Sequence, residues 1–353
     1  NMGNALKAKG DLESAIDSYK NAIEIKPDYA EAYSNMGAAL KAKGDLETAI
    51  ESFKTALKIK PDFADVYNNM GNALKTKGDF ESAIDSYKMA IEIKPDCAEA
   101  YSNMGAALKS KGDLEAAIDS YKQALKIKPD FADVYYNIGN ALKDKGEIEA
   151  AIESYKQALT IKPDYAEAFY NIGIALNDKG DLEAAIDCYQ QALKFRPDYA
   201  EAYNNMGVAL QDKGEIEAAI ESYKQALKIK PDYAEAYYNL IFPLQTMKLQ
   251  TTNIEVLLST INLQTGSKYV EIAKSVLSFS LHQGGKNAES ALNKVCSLLS
   301  KANNRIINNP EVTTKKYPPQ IIGPDNTVAL VHFGRSGTGL LHSLIDGHPE
   351  VST

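Results

Sequence analysis

The spacing of prolines and glycines constrains this chain more than any other feature. Pro27, Pro61, Pro95, Pro129, Pro163, Pro197 and Pro231 lie 34 residues apart, and so do two glycine series, one running from Gly3 to Gly207 and one from Gly10 to Gly214. Self-similarity at a fixed period means that one supersecondary unit is stacked on copies of itself, each burying the face its neighbour exposes. One unit, residues 30–63, reads AEAYSNMGAALKAKGDLETAIESFKTALKIKPDF. Ala32, Tyr33, Met36 and Leu40 share a face of a first helix, and Leu46, Ala49, Ile50, Phe53, Ala56 and Leu57 share a face of a second. Asp28 and Glu31 have capping-box spacing ahead of the first helix. Gly44 is the expected left-handed terminus of that helix, Asp45 the expected cap of the next, and Pro61 bars its continuation. Gly37 and Ala49 are small where the two helices must approach closely.

These markers resemble the tetratricopeptide (TPR) repeat. Tyr33 stands where that family commonly has Trp, and Met36, Gly37, Leu40, Ala49, Phe53, Ala56 and Pro61 complete the pattern. The resemblance implies an all-α, right-handed superhelical solenoid over residues 1–240: a partial first repeat, six full repeats over 30–233 and a degenerate last helix. A second period overlies the first. Units 30–63 and 98–131 differ at five positions, so the early array repeats in pairs of 68 residues. That reads as duplication favouring length over individually tuned sites.

In TPR proteins the second, fifth, sixth, ninth, twelfth and thirteenth positions of the unit line a groove. Carried onto this chain, the sixth position is always asparagine: Asn35, Asn69, Asn103, Asn137, Asn171, Asn205 and Asn239. An amide column can both donate to and accept from an extended peptide backbone. It resembles the asparagine ladder in the repeat domain of O-linked N-acetylglucosamine transferases. The fifth position is aromatic at Tyr136, Tyr170 and Tyr238; the second is acidic throughout; the twelfth is Lys41, Lys75, Lys109 and Lys143, then Asn177 and Gln211. The expected occupant is a protein or peptide. The plainer alternative is a polar face that orders neighbouring helices, with acid near helix starts and lysine near helix ends complementing the helix dipole.

Charge narrows the partners. The net charge is −8; residues 241–353 hold ten basic and seven acidic side chains, leaving 29 basic and 40 acidic in the array. An acidic array does not suit nucleic acid, which needs clustered Lys and Arg. Cys97, Cys188 and Cys296 are far apart, so neither a disulfide framework nor a metal site is expected, and a reducing, cytoplasmic setting fits. No apolar run reaches the roughly 18 residues of a membrane helix. The chain opens at Asn1 in mid-repeat, and a missing natural N-terminus is expected.

The pattern fails after residue 240. Ile241 replaces a repeat glycine and Pro243 is expected to interrupt the helix. Residues 254–263, 269–281 and 288–302 read as amphipathic helices of a cap over 241–304, and 305–326 as a proline-rich linker. Then comes TVALVHFGRSGTGLLHSLIDGHPEV. A β-branched strand at 327–333, a glycine-rich turn and a helix start make a phosphate cradle. Leu340 and Leu341 follow Gly339 where a nucleotide-hydrolysing loop has Lys and Ser or Thr, which argues against that chemistry. The stretch resembles the 5′-phosphosulfate loop of sulfotransferases, especially tyrosylprotein sulfotransferases and their bacterial relatives. Arg335, Ser336, Gly337 and Thr338 match the core of that loop; Leu340, Leu341, Asp346, His348, Pro349 and Val351 match the helix start and turn downstream of it; Gly339 replaces a threonine. The resemblance implies that residues 327–353 begin a truncated α/β domain. Its co-substrate would be 3′-phosphoadenosine 5′-phosphosulfate, held by Arg335, Ser336, Gly337, Thr338 and Gly339 without a metal. Thr353 precedes the position of that family's catalytic base, so the chain is expected to be an inactive fragment. His282, His332, His342 and His348 match no catalytic position. A non-enzymatic TPR scaffold and an O-linked N-acetylglucosamine transferase-like enzyme remain as alternatives.

Overall fold

The computed structural model describes residues 2–246. The expected cap helices beyond it, the linker at 305–326, the strand at 327–333 and the loop Arg335, Ser336, Gly337, Thr338 and Gly339 lie outside the described residues. Those described form fifteen α-helices and no strand. The first helices of the units are α1 (Met2–Ala8), α3 (Ala30–Lys43), α5 (Ala64–Lys77), α7 (Ala98–Lys111), α9 (Ala132–Asp144), α11 (Ala166–Asp178), α13 (Ala200–Lys213) and α15 (Ala234–Thr246). The second helices are α2 (Leu12–Ile25), α4 (Leu46–Ile59), α6 (Phe80–Ile93), α8 (Leu114–Ile127), α10 (Ile148–Ile161), α12 (Leu182–Phe195) and α14 (Ile216–Ile229). The chain divides into two compact units, Asn1–Ala175 and Leu176–Thr353. In the first, consecutive helices pack on one another from α1 through α10; in the second, α12 packs on α13, α13 on α14 and α14 on α15.

The hairpin follows from its turn chemistry. Gly44 closes α3 at φ 93° and ψ 0°, a left-handed conformation in which a Cβ would be strained. Asp45 N–H then donates to Leu40 C=O at 3.0 Å, satisfying an orphan carbonyl of the helix end. The Asp45 carboxylate accepts from Thr48 N–H at 3.2 Å and starts α4; Asp11, Asp79, Asp113 and Asp181 cap their helices in the same way. Glu147 and Glu215 hold this place without a capping bond and instead pair with Lys145 and Lys213 at 2.9 Å.

Two local expectations are corrected. Tyr29, not Asp28, is the N-cap residue of α3, and no side chain accepts a bond there. Pro27 and Asp28 form the turn in which Tyr29 N–H returns to Lys26 C=O at 3.2 Å, so the helix starts one residue too late for a capping box. The aromatic at this place instead lies beneath the lysine of the preceding helix end: Lys60 Nζ is 4.5 Å from the Phe63 ring, and Lys128 Nζ is 4.5 Å from Phe131. Pro243 does not end α15, which runs through it to Thr246. A proline forfeits one helical donor, but this ring is buried, and apolar burial favours continuation.

One contact repeats through the core. An aromatic of the second helix lies on the glycine of the first, as Phe53 does on Gly37 and Tyr87 on Gly71, and both rings are fully buried. Seams between successive hairpins carry exposed ion pairs, Lys43 with Glu13, Lys77 with Glu47, Lys111 with Glu81 and Lys145 with Glu115, at 2.9 to 3.2 Å. Such pairs contribute about 0–1 kcal/mol each and screen out with salt; their use is in fixing register.

Candidate functional site

First helices of consecutive units touch: α3 meets α5, α5 meets α7 and α7 meets α9, while in the second unit α13 meets α15. This brings the sixth position of one unit beside the fifth position of the unit before it. The asparagine column divides there. Asn103 Nδ2 donates to Asn68 Oδ1 at 3.0 Å. Asn171 Nδ2 donates to both Tyr136 Oη and Asn140 Oδ1 at 3.0 Å. Within the second unit, Asn239 Nδ2 donates to Asn204 Oδ1 at 3.0 Å, and Asn204 Nδ2 reaches Asn205 Oδ1 at 3.3 Å and Glu235 Oε1 at 3.4 Å. Asn103, Asn171 and Asn239 are 68 residues apart. Asn35, Asn69 and Asn137 are half-buried and make no side-chain hydrogen bond among the described residues. The reason is reach: Asn69 and Asn137 follow units whose fifth residues are Ser34 and Ser102, shorter side chains than Asn68, Tyr136 or Asn204.

The sequence carried a signal for this division, namely the alternation at the fifth position with the 68-residue period. Reading that period only as duplication missed it. A further polar group is committed to the fold. Asn72 Oδ1 accepts from Tyr87 Oη, and Asn140 Oδ1 from Tyr155 Oη, both at 2.8 Å; Asn4 Oδ1 accepts from Tyr19 Oη at 2.6 Å. Where the ninth residue is Ala38, the ring opposite is Phe53, which has no hydroxyl to satisfy. Tyr136 is likewise held, its ring 5.0 Å from Tyr165 and 5.7 Å from Tyr155. Tyr170 is half-buried on α11. Burial pushes the Tyr238 phenol up to about 12, and its hydroxyl has no partner among the described residues.

Charges at the two ends of the first helices behave differently. At the acidic edge Glu31 lies 3.9 Å from Lys60, Glu201 lies 3.2 Å from Lys230, and Asp133 accepts from Tyr165 Oη at 2.9 Å, while Asp65 and Glu99 have no partner among the described residues. At the lysine edge, Lys109 pairs with Asp144 at 2.6 Å, whereas Lys41, Lys75 and Lys143 form no ion pair among the described residues. Burial holds the Lys75 ammonium below its usual pKa, and the charge of Lys41 lowers it further.

No described helix is long and apolar enough to cross a membrane. None of the curated proteins matches the chain. Among solved structures, MamA is 30% identical over 47% of this chain and 96% of its own, with a TM-score of 0.44. YrrB, described as "a TPR protein with an unusual peptide-binding site", is 26% identical over 57% of this chain and all of its own, at 0.45. PilF from Pseudomonas aeruginosa is 18% identical over 59% of this chain and 94% of its own, at 0.52, a likeness of fold alone. The TPR repeat profile matches seven segments, 3–44, 39–78, 71–112, 107–146, 139–180, 173–214 and 212–240. With helical hairpins at the same 34-residue spacing and a glycine under each core aromatic, the chain belongs to the TPR repeat family.

Proposed function

We propose that the array is a polypeptide-binding module whose free groove amides, Asn35, Asn69 and Asn137, hold an extended peptide backbone. One observation carries this reading. The seven asparagines do not all serve the fold: Asn103, Asn171 and Asn239 tie neighbouring helices, while Asn69 and Asn137 keep donor and acceptor unspent in half-buried positions. The amides of Asn69 and Asn137 are not sealed from solvent, and a peptide bond can offer each both an acceptor and a donor. Selection of a random peptide display library on the folded array tests it. Asn69→Ala combined with Asn137→Ala is expected to weaken the selected peptides about tenfold, roughly 1.4 kcal/mol, with the melting temperature unchanged. Unchanged peptide affinity would remove these amides from the site.

The finer reading concerns what the array serves. We propose that it positions a hydroxyl-bearing polypeptide acceptor for a sulfotransferase domain that starts near residue 327. The order Arg335-Ser336-Gly337-Thr338, then Leu340-Leu341, Asp346 and His348-Pro349 supports it. In that reading Arg335 offsets the charge growing on the phosphate as the sulfuryl group leaves 3′-phosphoadenosine 5′-phosphosulfate. In a protein carrying the complete domain, Arg335→Ala is expected to abolish calorimetric binding of adenosine 3′,5′-bisphosphate. Equal affinity in the variant would remove Arg335 from the site, whereas no binding by the parent protein would leave a non-enzymatic scaffold.

A further inference from the structure

Lys41 and Lys75, at the twelfth position, are half-buried and form no ion pair among the described residues. Lysines two residues further on, Lys43, Lys77, Lys111 and Lys145, each meet a glutamate of the preceding hairpin. Lys109 meets Asp144, at the thirteenth position of the next unit. For Lys41 and Lys75 the equivalent places are Thr76 and Ser110, which carry no charge. We propose that Lys41 and Lys75 form a docking strip for an acidic segment of a bound polypeptide. This rests on the reading of the groove as a polypeptide site and names the chemistry of its ligand.

Three observations support the strip. Lys75 is half-buried with a like charge close by and no anion, an arrangement that costs the fold and that a bound carboxylate relieves. Beside Lys41 the neighbouring residues are small, Ala38 half-buried and Ala42 exposed, and beside Lys75 the Asn72 side chain is drawn to Tyr87 Oη, which leaves room for a backbone to approach. The basic character also fades along the chain, since the twelfth position becomes Asn177 and Gln211 and the thirteenth becomes Asp144, Asp178 and Asp212. The strip is therefore confined to the early repeats. Its register follows from helix spacing. Packed helices lie about 8–10 Å apart, and an extended chain advances about 3.3 Å per residue. A carboxylate at every third residue then meets a lysine on each successive first helix.

Calorimetry with two synthetic peptides tests the strip, one with glutamate at every third residue between serines and the other with glutamine at those places. The glutamate peptide is expected to bind about tenfold more tightly at low salt, with the preference shrinking as salt screens the charges. Lys41→Gln combined with Lys75→Gln is expected to erase the preference and leave the glutamine peptide unaffected. Its melting temperature should be unchanged or raised, because the substitutions remove an uncompensated charge pair. Equal affinity for both peptides, binding of neither, or a preference that survives in the lysine variant would overturn the strip. Competition by inorganic tripolyphosphate as effective as that of the glutamate peptide would overturn it too, by making it a generic anion surface. Asn69→Ala with Asn137→Ala separates the two readings: weakening of both peptides alike, with no glutamate preference in the parent, keeps the groove and discards the strip.

Discussion

Gly71→Ala is expected to destabilise the α5–α6 hairpin by about 1–3 kcal/mol, the usual cost of forcing atoms into a packed core. A Cβ at residue 71 would lie 2.6 Å from Tyr87 Cε1 and 2.8 Å from Cδ1, closer than any relaxed carbon contact. The ring cannot retreat, since it is fully buried and its hydroxyl is tied to Asn72 Oδ1. Gly78 gives the contrast. It sits at φ 90° with open space around its Cα, so Gly78→Ala costs only backbone strain, about 1 kcal/mol. Because stacked repeats open piecewise rather than all at once, hydrogen exchange resolved to α5 and α6 is the measurement. Adding Tyr87→Leu should recover much of the loss from Gly71→Ala and none of the loss from Gly78→Ala. Wild-type protection in Gly71→Ala would mean that the helices part freely and that the glycine is not there for close approach.

The fold was legible because every constraint on it repeats. Gly44, Asp45 and Pro61 each act within a few residues of themselves, through positive φ, a short capping side chain and a missing N–H, so a single unit suffices to read them. Asp28 was misread for the same local reason: sequence spacing does not say whether the turn after Pro27 spends one residue or two. Pro243 was misread because a helix break is a local expectation, whereas continuation of α15 depends on burial of that ring.

The groove was legible as a column and illegible in its division. Position along the unit identifies all seven asparagines, but whether an amide is spent depends on the residue 35 places earlier, which is long in Asn68 and Tyr136 and short in Ser34 and Ser102. The bonds of Tyr87 to Asn72 and of Tyr155 to Asn140 had a signal in the sequence only as asparagine at the ninth position, since a tyrosine at the twenty-fourth also stands opposite Ala106. Reading it required knowing that the ring of the second helix reaches across the first. The half-burial of Lys75 beside Lys41 is a property of stacked helices and has no signature within one unit.

Alkali is expected to unfold the repeats above pH 10. Burial raises the phenols of Tyr87, Tyr121, Tyr155 and Tyr223 well above their ordinary value of 10.0. A raised native value means stability that is fully present below pH 10 and lost as pH climbs through the interval between the unfolded and folded values, because there the folded state holds protons that the unfolded state has released. Each such tyrosine removes about 1.4 kcal/mol per pH unit from the repeat that holds it. Helix content by circular dichroism should collapse together with the rise in absorbance that marks ionisation of the buried tyrosines. Tyr121→Phe discriminates cleanly. Tyr121 faces Ala106 where Tyr87 and Tyr155 face asparagines, so its loss mimics the Phe53 unit, leaves neutral stability nearly unchanged and moves the alkaline midpoint upward. Tyr155→Phe raises the same midpoint but also lowers neutral stability by about 1 kcal/mol, since Asn140 loses a donor. Full tyrosinate absorbance with the helices intact would show that the rings on the repeat glycines are open to water, and the close packing on which both predictions rest would be wrong.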